Sequence, residues 1–136
     1  MTDLGCKVLF IGEDVDIWRL IELILSRDRN DTVSRACSTD EIYAVAKEVF
    51  DLVIVDHTAS IIDNGNGITI YRYLQKVPTF QGIPVLLWRV PVSRQVYTIA
   101  QELRIAGCIE LVSTPEELIA ARDIVLQGGS YYPPLR

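Results

Sequence analysis

Five short apolar runs, each followed by a segment with helical periodicity, constrain the fold of this chain more than any other feature. The predicted strands cover residues 7–11, 32–37, 52–55, 84–88 and 109–112. Near-continuous apolar strands that alternate with helices are typical of a parallel sheet covered on both faces. Right-handed crossovers favour the strand order 2-1-3-4-5. The sequence therefore predicts an α/β chain with a single doubly wound, flavodoxin-like (βα)5 domain.

Residues that start or stop helices lie between these runs. Asp14 is predicted to cap the first helix, and Ser38 with Glu41 is predicted to form a capping box at the second. Gly107 is expected to end the fourth helix. Thr114, followed by a proline and then a glutamate, is a strong start for the fifth.

The length and charge of the chain fit one globular domain. Its 136 residues suffice for one hydrophobic core, and a net charge of −5 argues against a general surface for nucleic acid or anionic membranes. The apolar runs are too short to span a bilayer. We expect one domain at 1–127 and a tail or linker remnant at 128–136 that lies on the sheet edge, with no direct nucleic-acid binding and no membrane contact.

The cysteines and the first residues of the chain point to a cytoplasmic protein. Cys6, Cys37 and Cys108 are an odd number without metal-ligand spacing, and the last two are predicted to be small buried hydrophobes. The chain start lacks the basic region and long apolar core of a secretion signal. We therefore expect reduced thiols and a cytoplasmic location.

Carboxylates follow two of the apolar runs. Asp56 comes directly after the third run, and Glu13 comes shortly after the first. In the order 2-1-3-4-5 these two strands are neighbours at the point where the chain reverses direction, which is where ligands bind in open α/β sheets. The sequence therefore predicts an acidic pocket suited to a divalent cation or a phosphoryl group.

Five segments occur in an order and at a spacing that carry a family resemblance. They are KVLFIGEDVDI, FDLVIVD, GITIYRYLQ, IPVLLW and AGCIELVSTPEEL. From residue 7 to about residue 127, the chain resembles the receiver domain of two-component response regulators. In that family an aspartate at the end of the third strand accepts phosphate from a histidine kinase, and Asp56 matches it.

Four positions depart from the pattern of that family. Two acidic residues usually follow the first strand, but here Gly12 precedes Glu13. Arg89 stands where the family has a Ser or Thr after the fourth strand. Thr114 replaces a Lys that contacts the phosphoryl group, and Leu111 replaces an aromatic residue on the fifth strand.

These substitutions change the chemistry expected at Asp56. Glu13, Asp56 and the backbone carbonyl of Thr58 are predicted to form at most a weak Mg²⁺ site, and Mg²⁺ is the one cofactor that the resemblance implies. Without the Lys, the developing charge of phosphoryl transfer loses a fixed cation. We hypothesise that the guanidinium of Arg89 reaches Asp56 and holds the pocket in one state without metal.

The resemblance implies a signalling module rather than an enzyme. We expect an atypical receiver of a phosphorelay, with impaired or absent phosphorylation of Asp56, that acts through protein–protein interaction. A histidine kinase or an output protein is the expected partner, and the last strand with its flanking helices is the expected contact or homodimer face. Two alternatives stay open: a receiver that is phosphorylated on Asp56 with Mg²⁺, and a pseudo-receiver that senses a small molecule.

Two further residues near the site have structural interpretations. His57 is expected to have a structural or solvent-facing role rather than to carry phosphate. Trp88 is expected to be a core or rim aromatic. Neither residue is therefore assigned chemistry.

Overall fold

Five parallel strands form a sheet with helices on both faces. The computed structural model describes residues 5–62, 65–91, 93–110 and 113–134. The strands are β1 (Lys7–Ile11), β2 (Thr32–Ala36), β3 (Leu52–Asp56), β4 (Val85–Val90) and β5 (Gly107–Glu110). The helices are α1 (Val15–Arg29), α2 (Thr39–Val45), α3 (Gly67–Leu74), α4 (Arg94–Glu102) and α5 (Pro115–Leu126), with a short 3-10 turn at Pro78–Phe80. The sheet order β2-β1-β3-β4-β5 confirms the predicted topology.

Alternate residues of each strand enter two separate hydrophobic clusters. Leu9 and Val53 point to the face covered by α2, α3 and α4, where they pack with residues such as Ile70. Phe10 and Ile54 point to the face covered by α1 and α5. Because both faces are buried, the strands read as continuous apolar runs rather than as an alternating pattern.

The predicted caps of α1 and α5 are confirmed. Asp14 accepts hydrogen bonds from the backbone N–H groups of Asp16 and Ile17. Thr114 and Glu117 form a reciprocal capping box at the start of α5. These side chains satisfy donors that the first helical turn leaves without partners.

The predicted capping box at α2 is only half correct. Ser38 accepts from the backbone N–H of Glu41, but the Glu41 carboxylate accepts from Cys37 N–H at 2.8 Å and from the Cys37 thiol at 3.1 Å. Cys37 is therefore only half-buried and hydrogen-bonded, contrary to prediction. Cys108 is fully buried, as expected.

Three predicted boundaries around β4, α4 and β5 are wrong. β4 runs to Val90, so Arg89 lies within the strand rather than after it. α4 ends at Glu102, because Arg104 takes a left-handed φ of 63° and Ile105 N–H turns back to the carbonyl of Ala100. Gly107 consequently begins β5 instead of ending the helix.

Two apolar side chains that share the helical spacing of the core residues of α1 and α2 are exposed. Leu20 in α1 is 45% exposed, because the buried stripe of that helix is formed by Ile21 and Leu25. Val49 is 72% exposed, because α2 ends four residues before it, at Val45. Helical spacing alone does not reveal how early a helix ends.

A buried charge cluster lies where α5 meets the start of β2. Arg122 is 1% exposed and donates to Asp31 at 2.9 Å, to Asp28, and through Nε to Asp123 at 3.0 Å. Asp31 also accepts the backbone N–H of Cys6 at 2.8 Å. Burial works against the charged form of Arg122, but these hydrogen bonds and the charge of Asp31 raise its pKa. The sequence patterns gave no sign of this cluster.

The residues after α5 run along the free edge of β5. Tyr131 forms a parallel bridge with Gly107, which confirms the predicted position of the tail on the sheet edge. The domain boundary at residue 127 stays a prediction. Of the helices described, none combines the length and the apolar character needed to cross a membrane.

Replacing Arg122 by Met should destabilise the protein by about 3 kcal/mol, because it leaves the buried carboxylate of Asp31 without its cation. Arg19→Met is the matched control, since Arg19 lies exposed on α1. Urea unfolding monitored by circular dichroism measures both. Equal losses in the two variants would contradict a stabilising role of the cluster.

Candidate functional site

Asp56 occupies the carboxyl end of β3 at the centre of the sheet. Its side chain is 2% exposed. Oδ1 accepts hydrogen bonds from the backbone N–H of Thr58 at 3.0 Å and from its hydroxyl at 2.8 Å. The loop after β3 therefore turns back onto the carboxylate, as Asp side chains commonly promote at turns.

Arg89 forms a two-pronged ion pair with Asp56. Nη2 donates to Oδ2 at 2.5 Å, and Nε donates to Oδ1 at 3.3 Å. Nη2 also donates to the Thr58 hydroxyl at 3.2 Å. The hydrogen bond to Asp56 raises the pKa of Arg89 against the opposing effect of burial, and the charges of Asp56 and Asp14 add to the rise. The hypothesis that Arg89 reaches Asp56 is confirmed.

A bulge in β4 directs Arg89 to this position. Leu87 pairs with Cys108, but Val90 pairs with Glu110, so β4 contains one extra residue relative to β5. Arg89 takes a φ of 63°. This left-handed conformation costs a residue with a side chain about 1–2 kcal/mol, and charge-assisted bonds to a buried carboxylate are strong enough to offset it. Bulges of this kind are frequent next to functional sites because they redirect a side chain.

Gly12 leaves no room for the second acidic residue of the family. A Cβ atom at this position would lie 2.7 Å from Cζ of Phe10 and 3.0 Å from Cβ of Asp56. The ring of Phe10 is fully buried in the core. The Phe10 ring and Asp56 therefore fill the space that a second acidic side chain would need.

Glu13 lies on the same edge of the sheet but contacts the loop after β3. Its side chain is exposed, and Oε1 accepts the backbone N–H of Ser60 at 3.4 Å. Thr58, the third predicted metal ligand, directs its hydroxyl and N–H to Asp56.

The arrangement around Asp56 does not fit Mg²⁺. Both carboxylate oxygens of Asp56 accept from the guanidinium of Arg89, so a fixed organic cation takes the position that a metal would need. In the part of the chain that the structure describes, no group of three His, Cys, Asp or Glu side chains is placed to hold a metal ion. The weak Mg²⁺ site of Glu13, Asp56 and Thr58 stays a prediction that requires Arg89 to move.

The other two substituted positions bring no cation to the site. Thr114 caps α5, where its hydroxyl accepts from the backbone N–H of Glu117. Leu111 lies outside the described residues. Arg89 is therefore the cation that the described contacts place on Asp56.

His57 is buried beside Asp56. It is 8% exposed, and its Nδ1 has no hydrogen-bond partner within the described ranges. A Cβ at Gly67 would lie 3.0 Å from this nitrogen, so the start of α3 packs directly against the ring. Burial lowers the pKa of His57, with the charge of Asp56 opposing the shift. This environment is consistent with a structural role and excludes a solvent-facing one.

The sequence placed Thr58 at this site through its backbone carbonyl, but it did not predict the role of the Thr58 side chain or the bulge in β4. Thr58 supplies a hydroxyl that bridges Asp56 and Arg89, and the bulge in β4 sets the direction of Arg89. A Thr two residues after an Asp is a signal for such a turn. A bulge at a non-glycine residue leaves no comparable mark in the sequence.

Replacing Arg89 by Gly should destabilise the protein by about 2 kcal/mol, because the loss of the cation from buried Asp56 exceeds the relief of backbone strain. Arg104→Gly is the matched control: Arg104 has the same φ of 63° but is exposed, with no ion pair among the described side chains. It should be neutral or stabilising. Urea unfolding of both variants gives the comparison.

The same variants test the predicted Mg²⁺ site. We expect Mg²⁺ to raise the melting temperature of Arg89→Gly and to leave the wild type and Arg104→Gly unchanged. Equal stability of the two glycine variants would contradict the energetic role of the Asp56–Arg89 pair. A rise in the wild type would contradict the conclusion that Arg89 excludes the metal.

The stability of the protein should fall as the pH falls below about 6.5, because the unfolded chain takes up a proton at His57 that the folded chain, with its lowered pKa, does not. The stabilisation that comes from keeping His57 neutral is fully present above that pH. Below it, the free energy of unfolding falls by up to about 1.4 kcal/mol per pH unit. His57→Gln removes the chain's single histidine. The stability difference between wild type and variant should therefore change between about pH 7.5 and about pH 5.5. A constant difference would show that His57 titrates normally.

The sequence has a curated relative among bacterial regulators. No family model matches the chain. Over 119 residues it is 27% identical to the response regulator protein PilR of Pseudomonas aeruginosa, a match that covers 88% of this chain and 25% of that protein. The chain thus spans about a quarter of the length of this relative.

Solved structures share the fold. The isolated REC domain of RcsB from Salmonella enterica superposes with a TM-score of 0.79 at 17% identity, covering 96% of this chain and 94% of that one. A LuxR-family response regulator from Aurantimonas gives 0.80 at 19% identity, with 96% and 91% covered. Chemotaxis regulator CheY4 of Vibrio cholerae gives 0.75 at 18%, with 88% and 98% covered. Together with the sequence match, these structures confirm the predicted resemblance: the chain has the fold of response-regulator receiver domains.

Proposed function

We propose that this receiver domain transmits signals by binding other proteins, and that phosphorylation of Asp56 is impaired or absent. The observation that carries the proposal is the contact of Arg89 with both carboxylate oxygens of Asp56. A phospho-acceptor carboxylate must present a free oxygen to the phosphoryl donor, and here neither oxygen is free of the guanidinium.

The hydrogen bonds around Asp56 make its carboxylate a poor nucleophile. Oδ1 accepts from Thr58 N–H, from the Thr58 hydroxyl and from Arg89 Nε. Oδ2 accepts a short charge-assisted bond from Arg89 Nη2. Donors that stabilise the negative charge of a nucleophile before the reaction reduce its tendency to attack. Phosphoryl transfer to Asp56 would first require the guanidinium to leave.

Arg89 is poorly placed to replace the cations of the family. In phosphoryl transfer, a cation accelerates the reaction when it neutralises charge on the transferred group in the transition state. The guanidinium instead pairs with the acceptor in its resting state. Thr114, at the position of the family's Lys, serves as a helix cap and carries no charge.

The likeness to receiver domains supports protein partners for this chain. A histidine kinase or an output protein is the proposed partner, and the last strand with its flanking helices, α4 and α5, is the proposed contact or homodimer face. The net charge of −5 supports a role without direct nucleic-acid binding. That the domain is not an enzyme, and that it acts in the cytoplasm, are parts of the same proposal.

A phosphorylated receiver is the second candidate. Its support is the position of Asp56 at the end of β3, together with the 24% exposure of the Arg89 side chain, which gives the guanidinium a path to solvent. The small-molecule alternative has less support. A cleft of about 830 Å³ lies at the opposite end of the sheet, bordered by Asp51, Pro84 and Ala106 rather than by Asp56.

Beryllofluoride with Mg²⁺, and separately acetyl phosphate with Mg²⁺, test the proposal directly. We expect no change in the amide NMR spectrum and no phosphoryl adduct by intact mass for the wild type, because Asp56 is paired with Arg89. Arg89→Ser restores the residue type of the family at that position, and Asp56→Asn gives the background signal.

Each outcome has a defined meaning. An adduct in Arg89→Ser alone would assign the block to the guanidinium. If neither the wild type nor Arg89→Ser forms an adduct, the block to phosphorylation would be assigned to the other substitutions. This result would still support the proposal. A wild-type adduct that disappears in Asp56→Asn would overturn it in favour of the second candidate.

A further inference from the structure

The two edges of the sheet differ in chemical character. β2 is one edge, and it carries half-buried Ser34 and Arg35. β5 is the other edge, and the part of it that precedes Glu110 is apolar, with Cys108 and Ile109 fully buried. Polar and charged side chains on an edge strand discourage pairing with other chains, whereas an apolar edge invites it. β5 therefore needs a cover that β2 does not.

The segment 128–134, the tail strand, supplies this cover by backbone pairing. Tyr131 donates its N–H to the carbonyl of Ala106 at 3.0 Å, and its own carbonyl accepts the N–H of Cys108 at 2.9 Å. The pairing is parallel to β5. Helix α5 thus serves as the crossover between β5 and a short sixth strand, which extends the strand–helix pattern of the sheet.

Gly107 permits the close approach of the tail strand. A Cβ atom at this position would lie 2.3 Å from the carbonyl oxygen of Tyr131, which is too close for any real contact. The backbone of the tail strand therefore depends on a glycine in β5. This dependence gives Gly107 a packing role unrelated to helix termination.

Tyr132 anchors the tail strand, and a proline limits it. The Tyr132 hydroxyl donates to the carbonyl of Ile105 at 2.5 Å, and its ring meets the edge of the Tyr97 ring with centroids 6.0 Å apart. Burial raises the pKa of Tyr132. Pro133 has no N–H to continue the ladder. Pairing is thus confined to the first part of β5 and held by one aromatic side chain.

We propose that the tail strand covers the edge of β5 and prevents a second copy of the chain from pairing with it. Two identical uncovered edges are self-complementary around a two-fold axis, so a second copy is the partner that the uncovered strand would take. With the tail strand in place, the contact face proposed above narrows to helices α4 and α5, because the tail strand covers the edge of β5.

Tyr132→Ala tests the proposal in the full chain, with Tyr43→Ala as the matched control because Tyr43 is 71% exposed on α2. Amide hydrogen exchange at Cys108 and Tyr131 should become faster by about tenfold or more in Tyr132→Ala and should stay at the wild-type rate in the control. Light scattering over a concentration series should show more self-association for Tyr132→Ala than for the wild type or Tyr43→Ala.

Gly107→Ala is the second variant, since it displaces the tail strand while keeping every tail residue. It should reproduce both effects, and slow exchange in β1 and β3 confirms that each variant is folded. Rapid exchange at Cys108 and Tyr131 in the wild type would overturn the pairing itself. Faster exchange in folded variants without increased self-association would overturn the proposed protection against a second copy.

Discussion

The ion pair between Asp56 and Arg89 is the interaction on which the arrangement of the site depends. A carboxylate buried at the end of a central strand is expensive to keep charged unless a cation contacts it. In the receivers that this chain resembles, acidic residues bind a metal ion and a lysine contacts the phosphoryl group, whereas in this chain a guanidinium contacts the carboxylate. One side chain therefore satisfies the buried charge of Asp56 and contacts both of its carboxylate oxygens.

That ion pair depends on the geometry of the sheet. Asp56 lies opposite Trp88 in the register of β3 and β4, and the extra residue in β4 follows immediately. The left-handed backbone of Arg89 turns its side chain onto the neighbouring strand. Gly12 completes the arrangement, because the Phe10 ring and Asp56 fill the space beside it. The substitutions at positions 12 and 89 are thus parts of one packed structure.

At both ends of the sheet, an arginine neutralises a buried carboxylate. At the carboxyl end, Arg89 pairs with Asp56; at the opposite end, Arg122 pairs with Asp31 and joins α5 to the start of β2. In both places a guanidinium satisfies a carboxylate that is almost fully buried, which a planar donor with several N–H groups can do. The tail strand adds backbone pairing at the β5 edge.

The sequence by itself determined the strand order, the position of Asp56 and the caps at Asp14 and Thr114, because apolar periodicity and capping chemistry are local properties of the chain. It also suggested that Arg89 reaches Asp56, since adjacent parallel strands end together. Only the tertiary structure decided that Arg89 lies in a bulge and that Gly107 begins a strand and admits the tail strand. Only the tertiary structure shows that Arg122 contacts Asp31. These features arise from contacts between residues distant in sequence, which no local pattern records.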